Sequence, residues 1–153
     1  MNAKTLVAAS CLAFAALAPT LGEAAEALRI TVFKSPWCGC CHEWAEVIRR
    51  AGYEIELRDM EDLAQVKSQA GVPTDMESCH TASLEGYFLE GHVPTEAVAK
   101  LIETRPDIAG LAVPGMAEGA PGMGDDPSAR YDVYAVPRDA GRPATVFLQR
   151  RFD

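Results

Sequence analysis

Three cysteines fall within four residues at the point where a strand pattern gives way to a helix pattern. Residues 28–34 alternate apolar and polar side chains and include β-branched residues, which predicts a strand that ends at Ser35-Pro36. From Cys41 to Ala51 apolar side chains recur at helical spacing, and Gly52 follows as a helix stop. The motif Trp37-Cys38-Gly39-Cys40-Cys41-His42 therefore lies on a turn from a strand into a helix.

The segments after this helix continue to alternate between strand and helix patterns, as in α/β proteins. In order, the sequence predicts a strand over 53–58, a helix over 59–70, strands over 79–84 and 87–90, and a helix that begins at Pro94 and stops before Arg105-Pro106. The first two strands and the helix between them imply a parallel strand pair. The two later strands should form a hairpin around Glu85-Gly86. The predicted core is therefore β-α-β-α-β-β-α.

The last third of the chain is less regular. Residues 111–128 are rich in glycine and proline, which predicts a loop, and Pro114-Gly115-Met116 recurs within it as Pro121-Gly122-Met123. Two final strand patterns, at residues 131–136 and 144–149, should form a C-terminal hairpin that extends the edge of the sheet. No second domain boundary is evident, so we expect a single α/β domain.

The N-terminus has the features of a secretory signal peptide. Lys4 is followed by an apolar run over residues 6–17 and then by small residues around 22–27. The run is short for a permanent membrane anchor, so we expect residues 1–24 to be a removed leader and the protein to be periplasmic. The remaining residues, 28–153, are long enough for one globular domain with a core, given a chain that is 48% hydrophobic.

Removal of the leader takes away Cys11 and leaves Cys38, Cys40, Cys41 and Cys79. In an oxidising compartment four cysteines ordinarily predict two disulfides. Because three of these lie so close together, a bridge among them cannot join distant parts of a fold. Thiolates crowded at one turn favour a shared soft cation, Cu(I) above all, with zinc as the alternative. We therefore predict a metal site.

The same turn is also suited to thiol chemistry without a metal. Cys38 lies at a helix N-terminus, where unpaired N–H groups and the helix dipole stabilise a thiolate. Cys41 follows at the spacing of a redox dithiol, so these two residues would be the catalytic pair of a thiol-disulfide oxidoreductase. A structural zinc module with all four cysteines as ligands is a third open interpretation.

Five further residues are candidate ligands from their sequence neighbours. His80 follows Cys79 directly and ranks first among the histidines, His42 follows a cysteine as well, and His92 ranks lower because it has no cysteine neighbour. Met116 and Met123 lie in the repeated loop motif, where there is no helical core for them to fill, and a thioether is a soft Cu(I) ligand. We include His80 and the two methionines in the predicted site.

Other classes of function are disfavoured. The net charge of −8 argues against nucleic acid as a partner, because phosphate binding needs a basic face. No phosphate-binding loop or serine-histidine-acid arrangement is recognisable, so there is no hydrolase or transferase signature.

The strand-to-helix motif resembles that of thioredoxin, with Cys40 in place of a proline. The segment Gly71-Val72-Pro73-Thr74 resembles the thioredoxin segment that carries a cis-proline. The resemblance implies a thioredoxin-like fold.

A set of ordered motifs also resembles the periplasmic CopG-type copper-resistance family, long catalogued as a domain of unknown function. The motifs are Trp37-Cys38-Gly39-Cys40-Cys41-His42, Ser78-Cys79-His80-Thr81-Ala82, Gly86-Tyr87, Glu90-Gly91-His92-Val93-Pro94, Val113-Pro114-Gly115-Met116 and Pro121-Gly122-Met123.

This resemblance implies a multinuclear Cu(I) site bridged by cysteine sulfurs and a role in copper redox handling during export or detoxification. Carried over by position, Cys38, Cys40, Cys41 and Cys79 would bind copper, joined by Met116 and Met123. The implied partners are copper ions and other periplasmic copper-handling or electron-transfer proteins, without a stable membrane anchor.

Overall fold

The computed structural model describes residues 27–151, which form one seven-stranded sheet with three α-helices. The elements are β1 (Arg29–Lys34), α1 (Gly39–Arg50), β2 (Glu54–Asp59), α2 (Ala64–Ala70), β3 (His80–Leu84), β4 (Tyr87–Glu90), α3 (Thr95–Thr104), β5 (Gly110–Ala112), β6 (Tyr131–Val136) and β7 (Thr145–Arg150), with a 3-10 turn at Thr74–Met76. The strand order is β2-β1-β3-β4-β5-β6-β7. The predicted leader, residues 1–24, lies outside the described residues.

The strand pairs expected from the sequence are confirmed. β1 and β2 are parallel, and β3 and β4 form an antiparallel hairpin. Both residues of its turn, Glu85 and Gly86, have positive φ, as in the two-residue turns that match the twist of a hairpin. The helix α1 begins at Gly39, two residues earlier than the apolar pattern indicates, so Cys40 and Cys41 lie in its first turn.

The strand β5 is the main departure from the prediction. Most of it lies in the stretch predicted to be a loop, yet it pairs with β4 in parallel and with β6 in antiparallel orientation. The C-terminal hairpin of β6 and β7 thus joins the sheet through β5. Three residues are too few to show a period, so this strand depends on its two neighbours rather than on its own sequence.

The expectation of a cis-proline is wrong. No peptide bond among residues 27–151 is cis, and Pro73 follows a trans bond from Val72. The second predicted helix is also shorter than expected, because α2 begins only at Ala64.

The core lies on both faces of the sheet. Successive residues of β4 and β5 alternate between two buried clusters, as the period of a strand requires. The larger cluster contains the apolar faces of α1 and α3, whereas Ala70 of α2 packs against the smaller one. Within residues 27–151, no helix has the length and apolar character needed to cross a membrane. The helix α1, which contains Cys40 and Cys41 and follows Cys38, is thus anchored to the sheet by its buried side.

Candidate metal centre

Cys38 caps the N-terminus of α1. It has an extended backbone, and its Sγ accepts a hydrogen bond from the backbone N–H of Cys41 over 3.3 Å. A sulfur that caps a helix lies near the positive end of the helix dipole, which stabilises a thiolate. The first turn of α1 contains no acidic side chain to oppose this effect. The position therefore makes Cys38 a good nucleophile or metal ligand when it is reduced.

The fold brings the fourth cysteine to the other three. The sulfurs of Cys38, Cys40, Cys41 and Cys79 all lie within 4.8 Å of one another, and those of Cys38 and Cys40 are 3.5 Å apart. Cys38 and Cys41 are joined as a disulfide, while Cys40 and Cys79 are free thiols. Cys41 is buried, whereas the other three are partly exposed. The cluster is thus partly accessible to solvent.

A buried ion pair holds the segment that delivers Cys79. Glu90 is fully buried and pairs with the Nζ of Lys67, which is itself 6% exposed. One carboxylate oxygen of Glu90 also accepts the backbone N–H of Ser78 over 2.6 Å, and the other accepts the Thr81 hydroxyl over 2.6 Å. Burial raises the pKa of Glu90, and its bonds to Lys67 and Thr81 oppose that shift. The carboxylate therefore holds the backbone of Ser78 before Cys79 and the side chain of Thr81 after it.

Two buried histidines lie against the Cys79 sulfur. The Sγ is 3.1 Å from Nε2 of His92 and 3.6 Å from Nδ1 of His80, and both histidines are 0% exposed. The ring of His80 packs on that of Trp44, with 4.4 Å between centroids. Burial lowers the pKa of His92, and it lowers that of His80 well below the ordinary value. Both imidazoles are therefore neutral at neutral pH, which is the form that binds metals.

Burial, followed by the neighbouring Cys40, raises the pKa of the Cys79 thiol to about 11. The free thiol is therefore protonated at neutral pH. A metal ion at this position would have to displace that proton, which is the ordinary coupling between metal binding and proton release.

Both copies of the Pro-Gly-Met motif touch the backbone next to a cysteine. Gly115 of the first copy forms an isolated bridge with Ser78 and accepts the hydrogen bond of its hydroxyl. Gly122 of the second copy lies so close to α1 that a Cβ there would be 2.6 Å from the carbonyl oxygen of Cys40. The repeat thus places one loop segment against Ser78, next to Cys79, and the other against α1 at Cys40.

The two methionines of these motifs differ in exposure. The side chain of Met116 is 64% exposed, whereas that of Met123 is partly buried in the loop. Each methionine directly follows a glycine that lies against the backbone of Ser78 or Cys40.

The structure reorders the three histidines. His42, which follows a cysteine in sequence, is half exposed and faces Glu46, 3.8 Å away. His92, ranked last from its sequence neighbours, makes the shortest contact to a cysteine sulfur. The hairpin register explains this, because Thr81 pairs with Glu90 and a continuation by two residues places Cys79 opposite His92. That register follows from the predicted turn at Glu85-Gly86, so the signal was present in the sequence.

The donor set suits a soft metal. Four sulfurs and two neutral imidazoles surround the site, and no carboxylate joins the ligand groups found within residues 27–151. Thiolates select Cu(I) and zinc, and imidazole suits copper and zinc, whereas hard cations need oxygen ligands.

Two solved structures are similar to this chain over most of its length. "Copper resistance protein copG- Form 1" is 40% identical in sequence, with a TM-score of 0.74, and the match covers 83% of this chain and 100% of that one. "Copper resistance protein copG- Form 2" is also 40% identical, with a TM-score of 0.73 and coverage of 81% and 98%.

A family model described as "Protein of unknown function, DUF411" matches residues 76–123, a stretch that contains Cys79, both buried histidines and both Pro-Gly-Met motifs. No curated protein matches the chain.

Proposed function

The chain belongs to the family of the copper resistance protein CopG, and from this premise we propose that it holds Cu(I) in its cluster of cysteine sulfurs. The observation that carries the proposal is the gathering of four sulfurs within 4.8 Å of one another at a helix N-terminus. Clustered thiolates are the preferred ligands of Cu(I), and sulfurs this close together can bridge more than one ion. The proposed role is in copper resistance.

The ligands proposed are Cys38, Cys40, Cys41 and Cys79, with His80 beside them. Two of these sulfurs are joined in the disulfide, so a full cluster requires its reduction, which takes two electrons and two protons. Reduced thiols then lose their protons as copper binds. The redox state of the disulfide would in this way set how many sulfurs are available to copper.

We further propose that Met116 and Met123 supply thioether ligands from the two loop segments that flank the cluster. Their glycine neighbours contact the backbone at Ser78 and Cys40, which supports this assignment. The exposure of Met116 suits a ligand that exchanges copper with a partner at the surface.

The proposed setting is the periplasm, reached through the leader at residues 1–24. The proposed partners are copper ions and other periplasmic proteins that handle copper or electrons. The order β-α-β-α-β-β-α in the first part of the chain supports a thioredoxin-like core, to which β5, β6 and β7 are added.

A titration of the reduced mature protein with Cu(I), without oxygen and against a strong chelator, tests the proposal. We expect the wild type to compete with the chelator, and a Cys38→Ser/Cys41→Ser variant to lose about tenfold or more in affinity, about 1.4 kcal/mol. Met60→Leu is the control, because this residue lies outside the cysteine cluster. Undiminished binding by the double variant would refute the proposal.

Zinc is separated from copper by elemental analysis of protein isolated from its native compartment. We expect copper, with more than one ion per chain. A single zinc ion per chain with four sulfur ligands in X-ray absorption would instead support a structural zinc module, which needs the same four cysteines.

A second function is favoured by the Cys38–Cys41 disulfide itself. The bonded pair stands at the start of a helix, with the partly exposed Cys38 first and the buried Cys41 three residues later. An incoming thiolate can reach Cys38, form a mixed disulfide and release Cys41 as the leaving thiolate. A second thiol of the substrate then completes its oxidation, so the protein disulfide gains the two electrons that the dithiol substrate loses.

Metal-free oxidised protein mixed with a small dithiol tests this second function. We expect a rate of disulfide exchange that a Cys38→Ser variant loses and a His42→Gln variant keeps. A rate no greater than that of an unstructured peptide with the same motif would rule it out.

A further inference from the structure

A second set of donor atoms shares one sulfur with the cysteine cluster. Cys79, His80 and His92 offer one sulfur and two ring nitrogens, all within 4.8 Å of one another. From this set we infer that the three residues form a one-metal site that remains complete when Cys38 and Cys41 are joined as a disulfide. Its ligand is a single borderline divalent ion such as zinc or Cu(II). The inference rests on the proposed function, because it concerns the oxidised form of the same metal centre.

The spacing of the donors fits one ion. An ion about 2.3 Å from sulfur and about 2.0 Å from nitrogen, with tetrahedral angles, needs a sulfur-to-nitrogen separation of about 3.5 Å. The two separations from the Cys79 sulfur are 3.1 Å to His92 and 3.6 Å to His80. Only small side-chain shifts are therefore needed to admit an ion.

A hydrogen bond determines which ring nitrogen of His92 carries the proton and leaves the other nitrogen free to bind a metal ion. Its Nδ1 lies 2.7 Å from the carbonyl oxygen of Pro121, which can only accept a hydrogen bond, so Nδ1 carries the proton. The lone pair of Nε2 then points toward the Cys79 sulfur. A backbone carbonyl that fixes the tautomer of a histidine in this way is the usual outer partner of a metal ligand.

His80 presents one ring nitrogen to the same sulfur. It is 0% exposed, and its Nε2 has no hydrogen-bond partner within residues 27–151. Its Nδ1 faces the Cys79 sulfur. An ion bound at Nδ1 would leave the ring proton on Nε2, so the nitrogen that would bind the ion is the one already next to the sulfur.

This site does not depend on whether Cys38 and Cys41 are joined as a disulfide. Its donors come from the start of β3 and from the segment between β4 and α3, and none comes from the disulfide. When the disulfide forms, the four-cysteine cluster loses two of its four sulfurs, whereas the Cys79 site loses none. Oxidation would therefore convert the multinuclear centre into a site for one ion, and that site would keep all three of its ligands.

Titration of the oxidised protein with Co(II), which does not oxidise thiols, tests the inference. The disulfide is first verified by mass spectrometry. We expect one Co(II) per chain, with a sulfur-to-metal charge-transfer band and the intense visible bands of a tetrahedral site. His92→Gln and Cys79→Ser should remove the charge-transfer band. His42→Gln should keep it, since His42 is half exposed and faces Glu46 rather than the Cys79 sulfur.

X-ray absorption of the oxidised protein loaded with one zinc ion checks the ligands without any variant, in case a buried substitution prevents folding. We expect one sulfur and two imidazoles. A shell with two or more sulfurs, loss of the cobalt band in His42→Gln, or no binding of Co(II) by oxidised protein would overturn the inference.

The Cu(I) titration of reduced protein is read separately. Failure there, with Co(II) binding intact, would refute the proposed function alone. Failure of Co(II) binding, with Cu(I) binding intact, would refute the further site alone.

Discussion

Substitution of Gly122 by alanine tests whether the second Pro-Gly-Met segment holds the metal centre in place. Gly122 has a φ of +77°, and a Cβ on it would lie 2.5 Å from the backbone nitrogen of Trp44 and 2.6 Å from the carbonyl oxygen of Cys40. Both atoms belong to the backbone of α1, which cannot swing aside as a flexible side chain would. The loop must therefore move away from the helix.

Two costs add in this variant. An alanine with left-handed backbone costs about 1–2 kcal/mol, and overpacking against a well-packed region costs about 1–3 kcal/mol. We therefore expect Gly122→Ala to lower the free energy of unfolding by about 2–5 kcal/mol.

Gly71→Ala is a matched control. Gly71 also has a φ of +77°, but nothing lies within 4 Å of a Cβ built on it. Only the backbone cost of about 1–2 kcal/mol should appear there. The difference between the two variants isolates the contact between the loop and α1.

Urea unfolding of the oxidised, metal-free protein measures both stabilities, and Co(II) titration measures the effect on the centre. Because Pro121 precedes Gly122 and its carbonyl oxygen accepts the His92 hydrogen bond, movement of the loop should also release His92. We expect Gly122→Ala to weaken Co(II) binding and Gly71→Ala to leave it unchanged. Equal losses of stability in the two variants, with equal Co(II) affinity, would refute the reasoning.

Three further predictions concern residues around the centre. Glu90→Gln leaves Lys67 buried without its carboxylate and should lower the free energy of unfolding in urea by about 3–5 kcal/mol. This loss should exceed that of a Lys67→Met/Glu90→Leu variant, which replaces both partners, and a loss below about 1 kcal/mol would contradict the prediction. Trp44→Phe removes a bond of 2.9 Å from its indole nitrogen to a buried backbone carbonyl. This change should lower the free energy of unfolding by about 1–3 kcal/mol, and an unchanged urea midpoint would argue against it. Met116→Leu should weaken Cu(I) binding relative to Met60→Leu while it changes stability by less than about 0.5 kcal/mol, and equal affinities of the two variants would exclude the thioether as a ligand.

Local periodicity was enough to locate most of the regular structure. Five strands begin and end within about one residue of their predicted bounds: β1, β3, β4, β6 and β7. The parallel pair and the hairpin are also as expected. These elements have strong patterns because each has one face in the core, so the sequence itself records which side is buried.

The errors fall where neighbours rather than local pattern decide the structure. β5 exists because β4 and β6 lie on either side of three residues that have no strand signal of their own. The cis-proline was expected only from the resemblance to thioredoxin. The trans bond before Pro73 therefore contradicts that resemblance and no local sequence pattern.

The candidate site was predictable to a similar degree. Cys38, Cys40 and Cys41 are neighbours in sequence, so their clustering follows from chain connectivity alone. His92 was undervalued because sequence adjacency was used as the measure, whereas an antiparallel register brings residues together across a turn.

The sequence by itself determined that three thiols begin a helix at the end of a strand, because a turn with those residues between two clear periodic patterns allows little else. It also contained the motifs that resemble the CopG family, and the similarity to the two solved structures confirms that family. Only the tertiary structure decided which distant groups face those thiols. Cys79, the two buried histidines and the two Pro-Gly-Met segments converge through strand register and loop packing, which are long-range contacts that no local pattern records.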